Sequence, residues 1–260
     1  MNIFEISQLK GGYGKELIIQ GIDLEVVKGE WLTILGANGS GKSTLLKLIG
    51  RILSPTAGII LLDGKNIHNQ PARHTAQTLA LLPQSPAIPE GLTVFQLVSL
   101  GRNPYQFWWE WELDTEGKKQ VSYALCQTNL LALQNTPIEQ LSGGQRQRAF
   151  LALALAQNTQ VLLLDEPTTF LDIRYQLEIL ELLHSLQIQR KLTIVTVLHD
   201  INLAMRYSDR VALMQNGRLY CIDQPAKALS PERIKEVFGI DVEIIDTSIG
   251  QQVVPIQHCP

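Results

Sequence analysis

An α/β fold with a parallel sheet, a small antiparallel β lobe and a helical lobe is what this 260-residue chain predicts. Three observations carry the expectation. Residues 31–53 read as a strand, a glycine-rich loop and a helix in direct succession. Residues 161–198 read as strand, helix, strand, the βαβ order of a parallel sheet. Between these stretches, from residue 93 to about 156, strand signals vanish and helical patterns take over, which marks an insertion.

In chain order, residues 3–9 alternate as a strand (Ile3, Glu5, Ile6, Gln8), and 22–27 and 31–35 follow as two more. The last, Trp31-Leu32-Thr33-Ile34-Leu35, runs straight into the glycines. Residues 43–53 form a helix that Ser54-Pro55 stops. Short apolar strands at 58–62 and 78–82 are bounded by turn residues. Helical patterns occupy 93–100, 115–131 and 142–156, interrupted by Asn103-Pro104 and Thr136-Pro137. A strand at 161–164, a helix at 173–186 and a strand at 192–198 come next. The tail closes with a short helix after Ser230-Pro231 and a hairpin of 242–245 with 253–256. No internal repeat or low-complexity segment interrupts the pattern.

The 45% hydrophobic and 18% charged shares are those of a globular chain. A net charge of −3 with no Lys/Arg run argues against a nucleic-acid-binding surface. The longest apolar runs, such as 149–156, fall far short of a membrane span. The N-terminus reads as a strand, not as a charged-then-apolar leader. Cys126, Cys221 and Cys259 form no close pair and no metal-ligand spacing, as expected in a reducing cytosol. The chain is therefore expected to be soluble and cytosolic, taking any membrane contact from a partner.

The loop Gly36-Ala37-Asn38-Gly39-Ser40-Gly41-Lys42-Ser43 fits G-x-x-x-x-G-K-[ST]. Its glycines let consecutive N–H groups point inward at phosphate, Lys42 reaches the β/γ-phosphates, and the Ser43 hydroxyl holds Mg²⁺. The expected nucleotide set is Gly36, Asn38, Gly39, Ser40, Gly41, Lys42, Ser43 and Thr44. Asp165-Glu166 ends the apolar strand Val161-Leu162-Leu163-Leu164. Alone, such a pair is as readily a solvated acidic turn. In a chain with a phosphate loop, Asp165 is placed to bind Mg²⁺ and Glu166 to accept a proton from attacking water.

Ser142 of Ser142-Gly143-Gly144-Gln145 can cap the helix that follows. An ordinary cap explains Ser142 but not two glycines in the first turn, each costing about 1 kcal/mol of helix stability. Their presence points to close approach of an anionic ligand at the helix's positive end. His199, after the strand at 192–198, is placed to donate to a phosphate oxygen, although a lone histidine there is more often structural.

Leu141-Ser142-Gly143-Gly144-Gln145 together with the phosphate loop resembles the ATP-binding-cassette (ABC) ATPases, over nearly the whole chain. The resemblance implies a P-loop NTPase of ABC type, with residues 1–87 and 157–225 as nucleotide-binding core and β lobe. Residues 88–156 would be the helical lobe with the signature motif, and 226–260 a C-terminal helix and hairpin, all in a single domain. It also implies ATP and Mg²⁺ as cofactors and a head-to-tail homodimer. Each ATP would lie between one copy's phosphate loop and the Ser142, Gly143, Gly144 and Gln145 of the other.

Residue roles follow from the same resemblance. Glu166 and His199 become the catalytic glutamate and the switch histidine. Gln84 becomes the hinge glutamine that contacts Mg²⁺ and the attacking water. Asp172, otherwise a helix cap, reaches the dimer interface, and Tyr13, otherwise core packing, stacks on adenine.

Glu90-Gly91-Leu92-Thr93-Val94, Gly101-Arg102-Asn103-Pro104, Leu81-Leu82-Pro83-Gln84 and Leu198-His199-Asp200 sharpen the match. They look like the ATPase subunits of bacterial iron–siderophore, haem and cobalamin importers, with the ferric-citrate and hydroxamate branch nearest. Leu153 stands where many ABC ATPases carry arginine, and Phe170 where a smaller or polar residue is usual. The implied activity is ATP hydrolysis that powers ferric-siderophore uptake at the cytoplasmic face of the inner membrane. The implied partners are integral-membrane permease subunits and, indirectly, a substrate-binding protein. A cobalamin or haem importer, a soluble non-transport ABC ATPase and a non-hydrolysing regulatory module are the alternatives. The segment Phe107-Trp108-Trp109-Glu110-Trp111 reads either as loop packing or as an exposed patch for a permease helix.

Overall fold

The computed structural model describes residues 1–258 except 15, 85, 87–89, 108, 111, 170 and 249. Trp108, Trp111, Phe170 and Cys259 thus lie outside the described residues. The first elements are β1 (Asn2–Tyr13), β2 (Glu16–Val27), β3 (Trp31–Gly36), α1 (Lys42–Ile49), β4 (Ala57–Leu62) and β5 (Lys65–Asn66). Then come α2 (Ala72–Thr78), β6 (Leu79–Leu82), α3 (Val94–Ser99), α4 (Thr115–Gln127), α5 (Gly143–Ala156), β7 (Val161–Asp165) and α6 (Ile173–Arg190). The chain continues with β8 (Thr193–Val197), α7 (Ile201–Tyr207), β9 (Arg210–Gln215) and β10 (Arg218–Asp223). It closes with α8 (Pro225–Ala228), α9 (Pro231–Phe238), β11 (Ile240–Thr247) and β12 (Gly250–His258).

These elements fall into two compact units, Met1–Asn69 with Thr193–Pro260, and Gln70–Leu192. In the first unit β3 lies between β8 and β9 and runs parallel to both, while β10 returns antiparallel to β9. Every residue of β3 and β8 is buried, which is why both read as continuous apolar runs without alternation. A second, antiparallel sheet orders β2, β1, β4 and β5, the small β lobe that was expected. α8, α9 and the hairpin β11–β12 pack on one apolar cluster that includes Leu35, Leu213, Leu229, Ile234 and Val253. Asn202 pins the hairpin to α7 by donating to the Val253 carbonyl at 3.1 Å and accepting from its N–H at 2.7 Å.

The second unit holds the parallel pair β6–β7 and the helices α2 to α6. α3 and α5 each begin with a capping box, Thr93 with Gln96 and Ser142 with Gln145. The Gly101-Arg102-Asn103-Pro104 stretch has a packing reason. A Cβ at Gly101 would sit 2.3 Å from the Leu153 carbonyl oxygen, so only glycine lets this turn lie against α5. The buried Arg102 then donates to the Ala156 carbonyl at 3.0 Å, capping the C-terminal end of α5, and stacks on Tyr105 at 3.9 Å.

Several boundaries differ from expectation. α1 stops at Ile49, well before Ser54-Pro55, because Gly50 closes it and Arg51 turns left-handed at φ +60°. β1 outruns its alternating stretch because a bulge at Gln8, φ +48°, breaks the period without ending the pairing. α4 ends at Gln127, short of 131, with Asn129 left-handed beyond it. α6 and the C-terminal hairpin are longer than expected. Six of these elements had no sequence forecast: β5, α2, α7, β9, β10 and α8.

Candidate functional site

The first unit carries the phosphate loop. β3 delivers Gly36 and α1 begins at Lys42, so residues 37–41 cross from strand end to helix start. Gly36 is required by close approach, since a Cβ there would lie 2.3 Å from the Met214 carbonyl oxygen and 2.7 Å from Ser40 Oγ. Ala37, Asn38 and Gly39 form an exposed crest. Lys42, only 6% exposed, folds its ammonium onto the Gly36 and Ala37 carbonyls at 2.8 and 3.0 Å. The Ser40 hydroxyl is buried without a hydrogen-bond partner among the described residues, a costly arrangement unless a ligand completes it. Ser43 and Thr44 follow on the first turn of α1, Ser43 half-buried and Thr44 buried.

Tyr13, at the end of β1, is 46% exposed and so is not core packing. Lys47 of α1 holds it, donating to the phenolic oxygen at 3.1 Å with its ammonium 5.6 Å from the ring centre. Lys47 was not foreseen; its spacing from Lys42 places it on the next turns of α1, but nothing local ties it to a residue on β1. His199 follows β8 and is exposed. Beside it Asp200 caps α7, accepting from Asn202 and Leu203 N–H at 2.7 and 3.0 Å.

The second unit carries the acidic pair. Asp165 ends β7 and Glu166 follows it, 2% and 6% exposed. β6 lies parallel with Leu82 opposite Leu164, so the residues after both strands emerge side by side. Gln84 consequently reaches Glu166, its Nε2 donating to Oε2 at 2.5 Å across 82 residues of sequence. Thr169 donates its hydroxyl to the same oxygen at 3.1 Å, a contact that sequence reasoning missed.

Ser142 caps α5 by accepting from Gln145 N–H at 3.2 Å, and the Gln145 side chain returns the bond to Ser142 N–H at 2.9 Å. Gln145 therefore serves the capping box, a role that was not foreseen although the Ser-x-x-Gln spacing signals it. Among the described residues, a Cβ at Gly143 would meet nothing within 4 Å, and one at Gly144 would touch Leu171 at 3.4 Å. Packing among the described residues thus bears on Gly144 and not on Gly143. Asp172 caps α6, accepting from Tyr175 N–H at 3.0 Å. Among the described residues, no three His, Cys, Asp or Glu side chains cluster to hold a metal ion, and no helix is long and apolar enough to cross a membrane.

The glycine-rich loop between β3 and α1 of the first unit marks a nucleotide-binding protein; the second unit, taken by itself, holds a buried acidic pair and a capped Ser-Gly-Gly-Gln helix start. Residues 19–169, more than half the chain, match the family described as ABC transporter, and this chain belongs to that family. The achromobactin transport ATP-binding protein CbrD of Dickeya dadantii is 46% identical, over 92% of this chain and 88% of its own length. The iron(3+)-hydroxamate import ATP-binding protein FhuC of Bacillus subtilis is 43% identical, over 94% and 91%. Among solved structures, a dimeric ATP-binding cassette in a post-hydrolysis state, bound to ADP and Pi, superposes with a TM-score of 0.74 at 28% identity. The superposition covers 85% of this chain and 98% of that one.

Proposed function

We propose that this chain is the ATP-hydrolysing subunit of a bacterial ABC importer for a ferric siderophore. The observation that carries the reading is 46% identity, across 92% of the chain, to a protein named for achromobactin transport, with the phosphate loop and acidic pair both intact. The chain works as a homodimer, as the solved cassette dimer supports. It docks peripherally on permease subunits at the cytoplasmic face of the inner membrane, and a substrate-binding protein supplies the chelate from the other side. The 1–87 and 157–225 segments act as core and β lobe, 88–156 as helical lobe and 226–260 as C-terminal extension of one ATPase domain.

In hydrolysis, Lys42 and the N–H groups of Gly39, Ser40, Gly41, Lys42, Ser43 and Thr44 hold the phosphates, with Gly36 and Asn38 shaping the loop. Ser43, Asp165 and Gln84 carry oxygen atoms that would hold Mg²⁺, which would supply positive charge to offset that of the phosphates. Glu166 orients and deprotonates the attacking water. His199 donates to a γ-phosphate oxygen, and Tyr13 stacks on adenine. Ser142, Gly143, Gly144 and Gln145 of the second copy bring the positive end of α5 to the γ-phosphate, with Asp172 at the dimer interface. Closure on ATP and opening after hydrolysis switch the permease, because ATP binds the closed dimer more tightly.

Deleting the gene is expected to abolish ⁵⁵Fe uptake from a supplied siderophore while free-iron uptake continues. Intact siderophore uptake beside a defect for an unrelated solute would remove the cargo and leave the ATPase.

Permease docking is read onto the aromatic segment. Phe107 and Trp109 stack at 4.7 Å, Trp109 is 54% exposed, and Arg73 lies over Phe107 at 4.8 Å. Gln106 and Glu110, which flank the pair, line a groove of about 490 Å³ together with Leu92, Phe95, Leu100 and Leu113. Aromatic anchors beside a groove that mixes these apolar residues with Gln96, Asn103, Glu112 and Lys118 suit an amphipathic helix. Trp108→Ala with Trp109→Ala is expected to uncouple transport without lowering the isolated subunit's Tm. A large Tm drop would instead mean that the segment serves packing.

A further inference from the structure

We propose that Thr169 is a positioning residue for Glu166, its hydroxyl holding the carboxylate in the orientation used for hydrolysis. The proposal rests on reading Glu166 as the residue that activates water.

The geometry converges on one short turn. β7 ends at Asp165 and the backbone turns at Glu166, whose φ of +53° is left-handed. The turn closes on Thr169, whose N–H donates to the Glu166 carbonyl at 3.3 Å. From that place its hydroxyl donates to Glu166 Oε2 at 3.1 Å. One residue therefore holds both the backbone and the carboxylate of Glu166. Gln84 donates to the same oxygen from beyond β6, so two donors from separate strands' ends meet there.

The turn is itself braced. Gln147 of α5 donates to the Pro167 carbonyl at 3.2 Å. Gln176 of α6 donates to the Thr168 and Leu171 carbonyls at 3.3 and 3.1 Å. The bracing keeps the Thr169 hydroxyl where it is, and the hydroxyl keeps the carboxylate where it is. A glutamate side chain has three rotatable bonds, and a base that samples several rotamers spends little time aligned with water. Valine at 169 would copy threonine's shape without its donor, separating the hydrogen bond from packing.

ATP hydrolysis by the full chain tests this with Thr169→Val, Thr169→Ser, Glu166→Gln and the double variant Glu166→Gln/Thr169→Val. Thr169→Val is expected to lower kcat about tenfold, the scale of one hydrogen bond to a charged group, with KM for ATP and Tm little changed. Thr169→Ser keeps the donor and is expected to retain most of the rate. In the Glu166→Gln background, Thr169→Val is expected to cost less than about twofold, because a positioning residue then has no base left to orient. An equal loss in both backgrounds overturns the proposal, as does a Thr169→Val enzyme with wild-type kcat. Should Thr169→Val fold poorly, Thr169→Ala carries the same comparison. An inactive Glu166→Gln beside a fully active Thr169→Val removes Thr169 alone, whereas a fully active Glu166→Gln removes the reading of Glu166 as well.

Discussion

Glu166→Gln is expected to bind ATP normally and to lose turnover by roughly 10²–10⁴-fold, the range for removal of a general base. The substitution preserves the side chain's size at a site that is only 6% exposed. A glutamine oxygen can still accept from Gln84 Nε2 and from the Thr169 hydroxyl, the two donors now on Oε2. What disappears is the capacity to take a proton from water. In the proposed cycle closure precedes hydrolysis, so the ATP-bound dimer should accumulate, and size-exclusion chromatography with Mg-ATP will report it as an earlier peak. A variant that hydrolyses at near wild-type rate would take Glu166 out of the mechanism.

Gly36→Ala is the second substitution with a large expected effect, and its cause is steric. The new Cβ would lie 2.3 Å from the Met214 carbonyl oxygen and 2.7 Å from Ser40 Oγ. Met214 is paired with Gly36 across the parallel β3–β9 ladder, so the obstructing oxygen belongs to buried backbone and cannot swing aside like a side chain. Overpacking of this kind costs about 1–3 kcal/mol, which for a chain this long lowers Tm by roughly 5 °C. The strain falls on the loop whose N–H groups are read as the phosphate cradle, so ATP affinity should fall more than tenfold, about 1.4 kcal/mol. Thermal unfolding and titration with a fluorescent ATP analogue measure the two effects. Unchanged values for both would mean that the loop has room the structure does not show.

The forecast of the fold held where the signal was contiguous. β3, the phosphate loop and α1 follow one another within residues 31–49, and a strand buried along its whole length announces itself as an apolar run. It failed where the backbone departs from a regular period. Gln8 and Arg51, both at positive φ, carry side chains that give no such warning, and so the end of α1 and the true length of β1 went unseen. β9 and β10 lie between the strand read at 192–198 and the C-terminal helix, in a stretch given to the core without any element of its own.

Tyr13 is 46% exposed and is held by Lys47, which reaches it from another element. Gly101-Arg102, noticed only as a family resemblance, proved to seal the end of α5.

By itself the sequence determined the class of chemistry. Glycines, a lysine and a serine at set spacing can make a phosphate cradle wherever a strand leads into them, because consecutive N–H groups do the work and need no distant residue. A carboxylate pair at the end of an apolar strand is local in the same sense. Only the tertiary structure decided how that pair is held. Gln84 and Thr169 meet on one oxygen of Glu166 because β6 and β7 run parallel in a fixed register and the turn after Asp165 is left-handed. Hydrogen bonds are directional over a few tenths of an ångström, and no spacing along a chain encodes an approach across 82 residues.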